Sequence, residues 1–145
     1  MPERAFAVIS DIHSNLEALR AVLDDIEERG VTEIVCLGDV VGYGPNPKEC
    51  LDLVRERCRV CLMGNHDHAL LYEPCNFNVA AERACFWTRQ LLEDEEDKEL
   101  RNARWQFLGN MPVRFQEQDI LYVHASPRRP INEYIFPEDV FTNPQ

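Results

Sequence analysis

The sequence predicts an α/β fold built on a parallel sheet. Short apolar runs of strand length recur at Ala5–Ser10, Glu33–Leu37 and Arg59–Met63, and stretches of helical character separate them. Each run is followed at once by a polar or glycine-rich cluster. Strands that alternate with helices in this way are joined by right-handed crossovers, which makes neighbouring strands parallel.

The elements can be justified in order. "AFAVIS" is the first strand. Ser14 and Glu17 then have the spacing of a capping box, and Leu16, Leu19, Val22, Leu23 and Ile26 form an apolar stripe of helical period. Gly30 supplies the stop. After "EIVCL", Asn46, Pro47 and Glu49 stand at the N-cap, N1 and N3 positions of a second helix. "RVCLM" is the third strand, and a longer helical region runs from Asn78 to Leu92. The acidic run Glu93–Glu99 reads as a solvated helix end or loop. "PVRFQ" and "DILYVH", between Pro112 and His124, form a hairpin around the turn "EQD". No repeat, low-complexity segment or linker divides the chain, so residues 1–145 are expected to form one domain.

Composition narrows the possible partners. At 145 residues with 45% hydrophobic and 28% charged content, the chain can bury one core. The formal net charge of −11 disfavours long nucleic acids, whose binding rests on clustered Lys and Arg. A phosphorylated substrate remains admissible where metal ions supply positive charge locally. The N-terminus lacks the apolar core of a signal peptide, and no stretch approaches membrane-spanning length. A cytoplasmic location is therefore expected, without membrane partners. In that setting the six cysteines read as reduced, buried apolar side chains. Cys58 and Cys61 make one C-x-x-C, but no further pair of ligands stands at the matching spacing of a zinc site.

The polar residues collect just past the strand ends. The first strand leads into Asp11 and His13, and the second into Asp39. The third leads into Asn65, His66, Asp67 and His68, and the last into His124. In an open parallel sheet these carboxyl ends border one crevice. Taken singly, each stretch reads as a turn with a local hydrogen bond, or as a boundary histidine. Together they are oxygen and nitrogen donors suited to borderline divalent metals. An amide oxygen in the set, and no thiolate, argue against a cysteine-rich structural zinc. Gly38 and Gly64 let the backbone turn before Asp39 and Asn65.

"DIHSN", "GDVVGYGP", "GNHD" and "VHASP", in this order and spacing, resemble the calcineurin-like metallophosphoesterase superfamily, most of all its bacterial and archaeal phosphodiesterase-type members. The resemblance extends from Ala5 to about Glu138. It implies an α/β/β/α sandwich and a hydrolase with two divalent ions, manganese first, with iron, zinc or nickel as alternatives. Asp39 would be shared between the ions, with Asp11 and His13 on one and Asn65 and His124 on the other. A hydroxide between them would attack a phosphodiester or phosphomonoester in line. His66 would serve as leaving-group acid or charge stabiliser. Asp67 would orient His66 and raise its pKa. His68 lies outside the matched pattern. Arg128 and Arg129 are either surface side chains or contacts to a substrate phosphate.

The sequence departs from the family at one place. A downstream Gly-His-x-His motif, which would add a ligand to each ion, has no counterpart after His124. The sandwich is therefore expected to be incomplete at the C-terminus, with an apolar face or sheet edge left for an oligomeric partner to cover. Three explanations are open: a fragment of a longer protein, a shortened relative, or a subunit completed by a second chain. The alternative function is a weakly active or inactive relative that serves as a binding or regulatory module.

Overall fold

A computed structural model describes residues 5–142. Its first half follows the expected alternation: β1 (Ala7–Ile9), α1 (Leu16–Glu28), β2 (Ile34–Cys36), α2 (Pro47–Arg57) and β3 (Val60–Cys61). The strands form one parallel sheet in the order β1-β2-β3, with Ala7 opposite Ile34 and Cys36 opposite Cys61. Side chains alternate across a strand, so β2 divides its residues between two faces. Ile34 and Cys36 join Leu19, Leu23, Leu51 and Val54 of the helices in the main core. Val35 and Leu62 lie on the other face against Tyr122.

Tyr122 belongs to a hairpin of β4 (Phe115–Glu117) and β5 (Ile120–Tyr122), antiparallel around Gln118 and Asp119. The hairpin is a separate two-stranded sheet, so the molecule is layered as helices, parallel sheet and hairpin. This is a mixed α/β fold, as expected. Its position matters for function, because the chain leaving β5 carries His124 back over β2, where its Nδ1 meets the Leu37 carbonyl at 3.0 Å.

Several local expectations are corrected. Asn15, not Ser14, caps α1, its side chain accepting from the Ala18 amide at 3.0 Å. Ser14 is instead fully buried at φ +57°, beneath the loop after β2. Val22 of the stripe is exposed, and Leu16, Leu19, Leu23 and Ile26 make the buried face. Gly30 ends the helix at φ +68°, as its lack of a Cβ permits. Asn46 precedes Pro47 as expected, but its side chain makes no capping bond. Of the cysteines, Cys36, Cys50, Cys61 and Cys85 are buried, Cys58 is half-buried and Cys75 is exposed.

Two helices escaped the sequence reading. "NHDHALL" is not a loop but α3 (Asn65–Leu71), started by Asp67 reaching back to the Gly64 amide at 3.0 Å. The acidic run is the break between α4 (Val79–Glu93) and α5 (Lys98–Gly109), with Asp97 capping the second. The apolar stripe of α5 is interrupted because Arg104 occupies a core-facing position. It is buried by pairing with Asp52 (2.7 Å) and Glu95 (2.7 Å). Lys48 on the same Glu95 carboxylate, and then Arg104, hold its pKa down at about 2. Among the described residues no helix is long and apolar enough to cross a membrane.

After His124 the chain forms a loop and the short α6 (Asp139–Thr142). Tyr134, Ile135, Phe136, Val140 and Phe141 are all exposed, as are Phe6 before β1, Val8 within it, and Ile120 and Leu121 on the hairpin. Leu51, by contrast, is wholly enclosed under the sheet. Leu51→Ala should destabilise the fold by about 2–5 kcal/mol, a loss measurable as a lower urea midpoint with an unchanged slope.

Candidate metal centre

The site begins with main-chain pairing between loops. Beyond the sheet, the Asp11 amide donates to the Gly38 carbonyl (3.0 Å), His13 to Asp39 (3.0 Å) and Ser14 to Val40 (2.9 Å). The loop after β1 therefore runs alongside the loop after β2, placing Asp11 and His13 beside Asp39. Gly38, at φ +106°, lies against Gly64; a Cβ there would come within 2.5 Å of the Gly64 nitrogen. Gly64 has an ordinary negative φ, so the reason for its glycine differs from the expected sharp turn. A Cβ at Gly64 would strike the Asp39 carboxylate.

Asp67 fastens these loops together. Its carboxylate is fully buried and accepts from the amides of Asp39 (2.7 Å), Gly64 (3.0 Å), Val40 (3.0 Å) and Val41 (3.3 Å). Burial, with the Asp39 charge nearby, pushes the Asp67 pKa up to about 6 against the pull of those amides. This corrects its expected role: both oxygens are engaged with the backbone, and the His66 Nδ1 is buried without a hydrogen-bond partner. The His66 ring is held by packing instead, against His13, Tyr43 and Phe77 at centroid distances of 4.7, 4.8 and 4.6 Å. Its pKa is not raised but lowered to about 4, first by burial and then by His13 and His124.

His13 and His124 stand against Asp39, with Asp11 beside His13 and Asn65 beside His124. Oδ1 of Asp39 accepts the His66 amide at 2.9 Å. Its Oδ2 faces the Nε2 of His13 at 3.7 Å and of His124 at 3.6 Å. The Asp11 carboxylate, more than half exposed, stands 3.7 Å from His13 Nε2. Two donor groups result, one of His13, Asp39 and His66 and one of Asp11, Asp39 and His124, each with its ligand atoms within 4.8 Å of one another. The partition differs from the expected one: Asp11 lies within reach of His124 as well as His13, and His66 joins the first group. His68 faces away, its ring against Tyr72.

The donor chemistry fits a cation. Each of His13 and His124 sets one Nδ1 against a backbone carbonyl, Val41 at 3.1 Å and Leu37 at 3.0 Å. A neutral ring that donates there presents an Nε2 lone pair to the cluster. His124 Nε2 lies 3.1 Å from Asn65 Oδ1, so two acceptors face each other. That contact needs a shared cation, or Asn65 rotated to offer its NH2. The separations of 3.6–3.7 Å around Asp39 Oδ2 are too long for hydrogen bonds. Asp39 itself is 2% exposed with no Lys or Arg side chain paired to it among the described residues, and burial, with Asp11 nearby, raises its pKa to about 7. A carboxylate withdrawn from water in this way is short of positive charge.

Backbone strain gathers in the same place. Asp11, His13, Ser14, Asp39 and Tyr43 all adopt φ between +48° and +57°, a region costly for residues with a Cβ. Tyr43 and Phe77, which flank His66, went unrecognised in the sequence. Tyr43 sits in the "GYG" of the second loop, where Gly42 leaves room for the His13 and His66 rings.

Residues 5–143 match the calcineurin-like phosphoesterase family. An uncharacterized protein of Methanocaldococcus jannaschii is 42% identical over 151 residues, covering 97% of this chain and 59% of that protein. The crystal structure of a metallophosphoesterase from Sphaerobacter thermophilus superposes with a TM-score of 0.73 at 40% identity, over 94% of this chain and 53% of the other. The cold-active protein-tyrosine phosphatase of a psychrophilic Shewanella shares the fold, with a TM-score of 0.56 at 16% identity over 100% of this chain and 47% of that one. The chain thus spans between about half and three fifths of the length of the first two relatives. With four loops gathered on one buried carboxylate and a match over nearly every residue, the chain belongs to the calcineurin-like phosphoesterase family.

Proposed function

We propose that this chain carries the dinuclear centre of a metal-dependent phosphoesterase, with Asp39 shared between two divalent ions. The observation that supports it best is the pair of donor groups meeting on one buried carboxylate. Asp11, His13, Asn65 and His124 would complete the ligand set around Asp39, manganese being the first choice. When bound, two such ions supply Lewis-acid charge for the phosphoryl oxygens and lower the pKa of water to make a nucleophile.

The chain's own residues do the rest. The Nδ1 contacts to Val41 and Leu37 fix both imidazoles before any ligand arrives, which removes a reorganisation cost from the reaction. His66, kept neutral by burial, offers a ring N–H to a phosphoryl oxygen as charge develops. Its packing between Tyr43 and Phe77 restricts where that N–H can point. Asp67 acts through the backbone, holding the Asp39 loop and the start of α3 at one separation. A cleft of about 290 Å³, lined by Asp11, Asn65 and His124, gives a substrate access to the cluster.

Equilibrium dialysis against manganese, followed by turnover of an aryl phosphodiester and an aryl phosphomonoester, tests this reading. Two ions per chain with hydrolysis of either ester are expected. Two ions without turnover would favour the binding or regulatory role. Asp39→Asn should lose at least one ion and lower kcat/KM by about a hundredfold or more, in line with the several kcal/mol a metal contributes. Unchanged turnover in that variant would rule the site out. Asp67→Ala strands four buried amides and should destabilise the chain by about 3 kcal/mol or more, readable by urea denaturation.

A further inference from the structure

Two adjacent arginines end up in different surroundings. Arg128 is committed: its guanidinium pairs with Glu133 at 2.9 Å, and Ser126 donates to the same carboxylate. Arg129 has its backbone tied into the loop, its amide donating to Ser126 Oγ at 3.0 Å and its carbonyl accepting from the Ser126 amide. Its side chain is exposed and makes no ion pair or hydrogen bond among the described residues; the charge it feels is that of Glu133. That carboxylate is already engaged by Arg128 and Ser126.

Arg129 lines a groove of about 330 Å³ together with Asn65, Phe77, Asn132 and Tyr134. Asn65 is shared with the cleft over the metal cluster, so the two depressions meet at a proposed metal ligand. Glu133 lines both and is paired with Arg128, which leaves the Arg129 guanidinium as the cationic group lining the groove. In a chain of net charge −11, that charge beside the cluster selects for anions.

We infer that Arg129 is a specificity-determining residue that holds a second anionic group of the substrate beside the cluster. The substrate class is then a phosphoester with a carboxylate or further phosphoryl group near the scissile phosphate, and Phe77 and Tyr134 supply apolar walls for the part between. The inference rests on the phosphoesterase reading above. It assigns Arg129 no part in the bond-breaking step.

Two probes of nearly equal size separate charge from shape: 4-carboxyphenyl phosphonate and 4-carbamoylphenyl phosphonate. Neither can be hydrolysed, so their binding to the manganese-loaded full chain by calorimetry does not depend on turnover. The carboxylate probe should bind about tenfold more tightly than the carboxamide, the scale of a hydrogen bond to a charged group. Arg129→Ala should abolish that ratio while leaving carboxamide affinity within about twofold, and Arg129→Lys should restore part of it. An equal affinity for both probes in the native chain, or a ratio unchanged in Arg129→Ala, overturns the inference while manganese-dependent phosphonate binding keeps the earlier reading intact. A chain that binds phosphonate no better with manganese than without it fails at the earlier reading and takes the inference with it.

Discussion

The site depends on a buried carboxylate whose partners are main-chain amides. Asp67 gathers amides from Gly64, Asp39, Val40 and Val41, and so joins the start of α3 to the loop after β2. Without it those amides would be desolvated and unpaired, a larger cost than the average worth of the bonds themselves. The same bonds lower the freedom of a loop whose residues sit at positive φ. The clamp therefore pays for strain that the loop could not hold alone.

From that clamp the geometry propagates outwards through backbone contacts. The loop after β1 is laid along the loop after β2 by three amide bonds, and the hairpin returns His124 to the end of β2. Charge follows geometry. Asp39 is enclosed with imidazoles rather than ammonium or guanidinium groups. The metallophosphoesterase of Sphaerobacter thermophilus is longer than this chain, and Tyr134, Ile135 and Phe141 stand exposed after His124.

The sheet and the two flanking helices were legible in the sequence because strand and helix periodicities alternated cleanly up to Met63. The site loops were legible because their donors followed strand ends. What escaped did so for physical reasons. α5 hides its inward face behind Arg104, whose charge reads as solvent-facing until Asp52 and Glu95 are seen to enclose it. α3 starts on residues that read as loop, since Asp67 both begins the helix and serves the neighbouring loop. The resemblance implied a pairing of Asp67 with His66, yet successive residues on a helix point in different directions. Ser14 and Asn15 are equally good caps on paper, and the buried crossing under the second loop decides between them.

Gly38 and Gly64 touch where two strands deliver their loops, and the Asp39 carboxylate fills the space a side chain at Gly64 would take. The spacing of the cluster is thus written largely in main-chain atoms. Positions such as Val40 and Val41 contribute amides whatever side chain they bear, so their identity is free to drift under core packing alone. Two homologues can then diverge widely around this crevice while keeping the donors at the same separation, provided the pair of glycines and the aspartate anchoring α3 survive.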